Sequence, residues 1–154
     1  MRRLALLMLI ILPLVFAPSA TATPPEDASG ISFITSTAIT GVRIADGNTF
    51  VTATITRVIA GTLTGTISEE VSLVFHSTGA ASIRGIATCV CTVAGRSGTL
   101  VSRFEGTGES LGPTFEIHSG SIAGTGELGN LHMELTIEAV GGFSSYTGTF
   151  HFDP

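Results

Sequence analysis

Four histidines, two cysteines, one glycine-rich run and an inward-directed arginine are the features of this sequence whose residue types could do chemistry. Histidine is where a metal or acid–base site usually shows itself. His76, His132 and His151 lie on the polar parity of alternating segments, and His118 alternates with Glu116 against Phe115 and Ile117. All four are expected to point outward from different strands, and zinc needs three or four ligands at one point, so independent surface histidines and no metal are expected. Cys89 and Cys91 flank Val90. Residues two apart on a strand share a face with α-carbons about 6.6 Å apart, near the limit a disulfide spans. Two readings stand: a labile redox pair or soft-metal site, and two small buried residues filling a barrel interior, the second favoured.

The run Gly124-Thr-Gly-Glu-Leu-Gly129 spells G-x-G-x-x-G. That fingerprint works through a helix N-terminus inside a βαβ unit, whereas here an alternating strand follows, so a tight turn is expected and no dinucleotide cofactor. No G-x-S-x-G elbow is present, and a triad would need an inward histidine. Glu105 and Glu127 sit beside glycine-rich turns, where a carboxylate pair could form but exposed turn carboxylates are the simpler description.

The elements that must position these groups are strands. From Gly30 onward glycine recurs every few residues, and each would cost a helix about 1 kcal/mol relative to alanine. Between the glycines the chain is rich in Thr, Val and Ile with period two. Val51, Ala53, Ile55 and Ile59 share one face, and Arg57 falls among them. Val71, Leu73 and Phe75 repeat the pattern, as do Met133, Leu135, Ile137 and Ala139, and finally Tyr146, Phe150 and Phe152. The count comes to about eight short strands, the spacing of an all-β, antiparallel, closed β-barrel of lipocalin-like size.

Residues 1–22 read as an export signal: Arg2 and Arg3, an apolar run from Leu4 to Phe16, then Ala20-Thr21-Ala22 as the cleavage site. The run is too short for a spanning helix and is interrupted by Pro13, so no membrane anchor is expected after cleavage. Secretion, or delivery to the periplasm or cell surface, follows. Residues 23–29 read as a flexible lead-in, and residues 30–154 as the barrel domain. The formal net charge is −5, the two signal arginines are among only seven basic residues, and there is no lysine and no tryptophan. Nucleic acid is excluded as a partner on charge and on stacking capacity together.

The turns carry a resemblance. Gly95-Arg-Ser-Gly-Thr-Leu-Val, the strand Phe115 to Ile117, and Ser121-Ile-Ala-Gly-Thr-Gly-Glu-Leu-Gly, with the earlier Ile59-Ala-Gly-Thr-Leu-Thr-Gly, Arg57 and Tyr146, resemble a bacterial family of proteins of unknown function with an allene oxide cyclase-like barrel. That family often has an acidic residue shortly before the G-R-S-G turn; this sequence has Ala87 there, so no role for such a carboxylate carries over. The resemblance implies the barrel and, through cyclases of similar fold, an interior that encloses an apolar substrate.

On this reading the inward set is apolar except for Arg57, Cys89, Cys91, Ser102 and Tyr146, which are the candidate ligand-binding residues. The first functional expectation is capture of a small hydrophobic or amphipathic, fatty-acid-like molecule, with Arg57 as anion partner and Tyr146 as hydrogen-bond donor. An isomerase or cyclase that shapes an apolar substrate is the second. A barrel filled by its own side chains, with a structural or interaction role, is the third.

Overall fold

Strand follows strand from Glu26 to Phe152 in the computed structural model, which describes residues 23–112 and 114–154. β1 spans Glu26–Ala45, β2 Asn48–Gly61, β3 Leu63–Phe75, β4 Ala80–Val93, β5 Arg96–Glu109, β6 Thr114–Gly124, β7 Leu131–Val140 and β8 Phe143–Phe152. Each pairs antiparallel with the next, and β8 returns to pair with β1, so the eight strands form a closed barrel. The hairpins follow turn chemistry. Asp46-Gly47 between β1 and β2, and Ala94-Gly95 between β4 and β5, both carry positive φ at two successive residues, the twist that two-residue hairpins need.

The alternation read from the sequence sets the inside. Ala53, Ile55, Arg57 and Ile59 of β2 are all buried, as are Met133, Leu135 and Ala139 of β7 and Tyr146, Phe150 and Phe152 of β8. The interior divides into two apolar clusters. One gathers Ile59, Leu63, Leu100, Met133 and the ends of β4 and β8; the other gathers Ala53, Ile55, Val71, Phe104, Ile117 and Ala139. The glycine-rich run Gly124 to Gly129 is a turn as expected, here a 3-10 turn over Gly126–Leu128. Leu128 has no exposed surface and joins the first cluster, so this turn plugs one end of the barrel. Glu127 accepts the Ser97 N–H at 2.9 Å and ties the plug to β5.

One boundary differs from expectation. Residues 26–29, read as lead-in, are the start of β1 and pair with Thr147 to Phe150 of β8, with Ala28 only 2% exposed. Composition alone could not show that a polar segment has a tertiary partner for its backbone. The expected export signal, residues 1–22, lies outside the described residues. At its other end β1 outruns β8. Beyond Ile34, whose N–H donates to the Gly142 carbonyl at 2.8 Å, it continues to Ala45 with β2 as its paired neighbour. Irregularities between Ile34 and Ser36 and between Ile39 and Gly41 bend this stretch.

Candidate functional site

Where the two apolar clusters meet, the inward positions turn polar. Arg57 of β2 and Glu69 of β3 are diagonal neighbours across the strand pair, with Arg57 Nε donating to Glu69 Oε2 at 3.0 Å. Their side chains are 11% and 14% exposed, so the pair is largely withdrawn from water. Arg57 Nη1 reaches Ser144 Oγ of β8 at 3.4 Å, and Ser144 is bonded to Ser32 of β1 at 2.7 Å. Ser32 and Ser144 are register partners on the seam that closes the barrel. A single polar chain, Glu69 to Arg57 to Ser144 to Ser32, therefore runs across β3, β2, β8 and β1.

This chain borders an internal cavity of about 60 Å³. Its walls take Ile59, Leu100 and Met133 from one cluster and Phe104, Ile117 and Ala139 from the other. Ser102 and Ser119 add hydroxyls from β5 and β6, and neither makes a side-chain hydrogen bond to another described residue. Burial pushes the Glu69 carboxyl above the ordinary carboxylate range, and the Arg57 guanidinium, by charge and by hydrogen bond, pulls it only part of the way back. A carboxyl so placed can hold or release a proton inside an apolar enclosure.

The residues expected inside are inside: Arg57 and Ser102 are 9% exposed, Cys89 and Cys91 5%, Tyr146 4%. Their surroundings differ from expectation at three points. Arg57 is not a free cation, because Glu69 already occupies it. The Tyr146 hydroxyl accepts the Leu63 N–H at 3.0 Å and lies 3.5 Å from the Ala60 and Leu63 carbonyls, so the backbone at the β2–β3 turn holds it and only the ring faces the cavity. Burial raises the phenol above its usual range, with the Leu63 bond opposing. Cys89 and Cys91 are the small buried interior residues of the favoured reading, but they are joined as a disulfide, which that reading did not include. Their α-carbons stand 5.4 Å apart, shorter than the extended spacing assumed from the sequence, and β4 keeps an unbroken register with both neighbours there. Cys89 lines the cavity, whereas Cys91 packs into the first cluster.

The histidines face outward, but two of them meet. His132 and His151 are register partners on β7 and β8, their rings stack 5.2 Å apart, and each is directed at the Asp153 carboxylate, at 2.8 and 3.5 Å. The expectation that none converge fails because cross-strand register, not parity, brings outward residues side by side. Among the described residues no group of three or more His, Cys, Asp or Glu side chains is arranged to hold a metal ion.

Glu69, Ser32 and Ser144 were not singled out from the sequence. The signal was available for two of them: Glu69 shares parity with Val71 and Leu73, and Ser144 with Tyr146.

No match is found among curated proteins. A solved structure of a protein of unknown function from the DUF3224 family of Shewanella oneidensis MR-1 is similar to this chain with a TM-score of 0.67 and 21% identity, covering 85% of this chain and 99% of that one. At that identity the likeness speaks for the fold. The family model described as a protein of unknown function (DUF3224) matches residues 32–150, from the seam serine of β1 to Phe150 of β8, and the chain belongs to the DUF3224 family.

Proposed function

We propose that the chain is exported and that its barrel binds a small amphipathic molecule in the interior cavity, apolar body against the two clusters and polar head on the Arg57 and Glu69 layer. The observation that carries this reading is a largely buried ion pair on the wall of a mostly apolar cavity. Taking two charges out of water costs several kcal/mol each, and a barrel serving only as a packed core would be at least as stable with apolar residues there.

Size restricts the occupant. A cavity of about 60 Å³ has room for roughly four water-sized groups, so the long acyl chain of a fatty acid is outside its capacity without side-chain movement. Short acids, alcohols and amides fit. A thermal-shift series over such compounds tests the reading. A ligand at a hundred times its Kd should add about 2.7 kcal/mol of stability. Ala87 lines the cavity, and Ala87→Leu should abolish the shift by filling the space. No shift with any member of the series would end the proposal.

A second reading rests on Glu69. A carboxyl held protonated more readily than usual, beside an apolar space, suits proton transfer to a bound substrate, in keeping with the cyclase activity that an allene oxide cyclase-like barrel implies. Product formation on incubation with an apolar polyene or epoxide, lost in Glu69→Gln, favours turnover; stoichiometric capture without product favours binding.

A further inference from the structure

The wall that Glu69 shares with Arg57 carries an inference that rests on the binding reading just given and narrows it. We infer that the cavity takes a short monocarboxylate together with one proton, the proton residing on Glu69, so that the site selects carboxylic acids and tightens as pH falls.

The guanidinium carries five N–H groups in a fixed fork. Among the described residues, Nε is bonded to Glu69 and Nη1 to Ser144, and Nη2 has no bonded acceptor. The second carboxylate oxygen of Glu69, Oε1, has no donor among them either. Both side chains line the cavity, so the wall that a ligand head meets carries one unused donor and one unused acceptor. A carboxylate entering here brings a second negative charge to one guanidinium. Two carboxylates sharing one site do not both stay ionised, because an uncompensated charge in a low-dielectric interior is too costly. The proton comes from solvent and no covalent bond to carbon changes. Net uptake is one carboxylate and one proton, and the enclosure keeps the charge it had. Protonated Glu69 then offers an O–H to one ligand oxygen while Arg57 holds the other.

The proton has few other places to go. Besides Glu69, the polar or sulfur-bearing groups lining this space are Arg57 from β2, Ser32 from β1, the disulfide-bonded Cys89 from β4, Ser102 from β5, Ser119 from β6, and Ser144 and Tyr146 from β8, and β7 adds Met133 among side chains that do not titrate. Arginine stays charged, a disulfide does not titrate, and the tyrosine hydroxyl is held by Leu63 and pushed away from ionisation. Glu69 is left, and its burial already biases it toward the protonated form.

The test compares propionate with propionamide, a neutral molecule of nearly the same shape, by titrating backbone NMR shifts of cavity residues in the full barrel between pH 5 and pH 8. Propionate affinity should fall by about tenfold per pH unit once Glu69 is ionised in the free protein, whereas propionamide affinity should be flat. The ¹³C signal of the Glu69 carboxyl should move to its protonated position on saturation with propionate at a pH where the free protein is ionised. Glu69→Gln should bind propionate without pH dependence. Where that variant does not fold, the carboxyl signal of the unaltered protein decides alone. Propionate binding that is flat with pH, a Glu69 signal that does not move, a variant that keeps the full slope, or binding of propionamide alone each overturns the inference while leaving the cavity reading intact. Failure of both compounds to bind removes the cavity reading itself.

Discussion

Arg57 Nε and Glu69 Oε2 meet at 3.0 Å inside the barrel, and each is the nearest opposite charge the other has among the described residues. Removing Arg57 alone strands a carboxyl in an apolar space. Arg57→Met should therefore cost about 3 kcal/mol at neutral pH, with the loss shrinking at acid pH where Glu69 protonates. Replacing both, Arg57→Met with Glu69→Leu, should return stability to within about 1 kcal/mol of the parent or above it, because the desolvation cost of both ions disappears. Urea denaturation of the single and double variants checks this. Equal losses in both would show that the pair acts only through packing.

The direction of the Glu69 shift fixes a pH dependence. Its carboxyl is raised in the folded protein, so the folded state binds the proton more tightly than the unfolded state does. The associated stability is fully present below the ordinary carboxylate pKa and is lost as pH rises through the raised value. Glu69→Gln mimics the protonated form. The stability difference between the parent and this variant should be constant at low pH and move steadily in favour of the variant as pH rises. A difference that runs the other way would mean that Arg57 outweighs burial at this site.

Much of this arrangement could be read from period two alone. A strand with one dry and one wet face reports which residues share the interior, and Arg57, Ser102 and Tyr146 were placed there by that argument. Glu69 escaped because it stands next to Glu70, and two adjacent acids look like surface, although only Glu70 points to water. The shared carboxylate of His132 and His151 depends on a pairing between β7 and β8 that no single strand records. The disulfide depends on a local shortening of β4 to 5.4 Å between alternate α-carbons, which composition does not encode. Irregularities in β1 interrupt the parity after Ile34, so its second half could not be assigned a face at all.

Tyr146 and Gly30 form one packing unit. The phenol crosses the backbone at Gly30 and Gly61, and a Cβ on Gly30 would run into the Tyr146 hydroxyl and the Ala60 carbonyl. Tyr146→Phe leaves the Leu63 N–H without its partner and should cost about 1–3 kcal/mol. Gly30→Ala should cost a similar amount through overpacking. Combined, the two should cost less than their sum, since removing the hydroxyl vacates part of the space that the new methyl needs. Strict additivity in thermal or urea unfolding would show that the two sites are independent.

The free half of β1 makes a last prediction about where the barrel is soft. Gly30 to Phe33 pair on both sides, with β2 and with β8, whereas Ser36 to Ala45 lean on β2 alone and expose Ile39, Val42 and Ile44 at 66%, 61% and 74%. Side chains this exposed contribute little, so Ile39→Ala should stay within about 0.5 kcal/mol of the parent. Ile59, 4% exposed in the core, should lose about 2–5 kcal/mol on the same change. Hydrogen exchange should follow the pairing. Alternate amides of 36–45, those turned away from β2, should exchange with almost no protection, while amides across the β1–β8 seam should open only with the whole barrel. A free edge rich in Thr, Val and Ile also invites pairing between chains, blunted here by the two irregularities in β1 and by the charge of Arg43. Ile39→Lys should then slow aggregation on heating without lowering the unfolding midpoint, because a charge on the edge opposes a strand that the barrel itself does not use. Uniform protection along all of β1, or an Ile39→Ala loss as large as that at Ile59, would mean that this half of the strand is covered in solution.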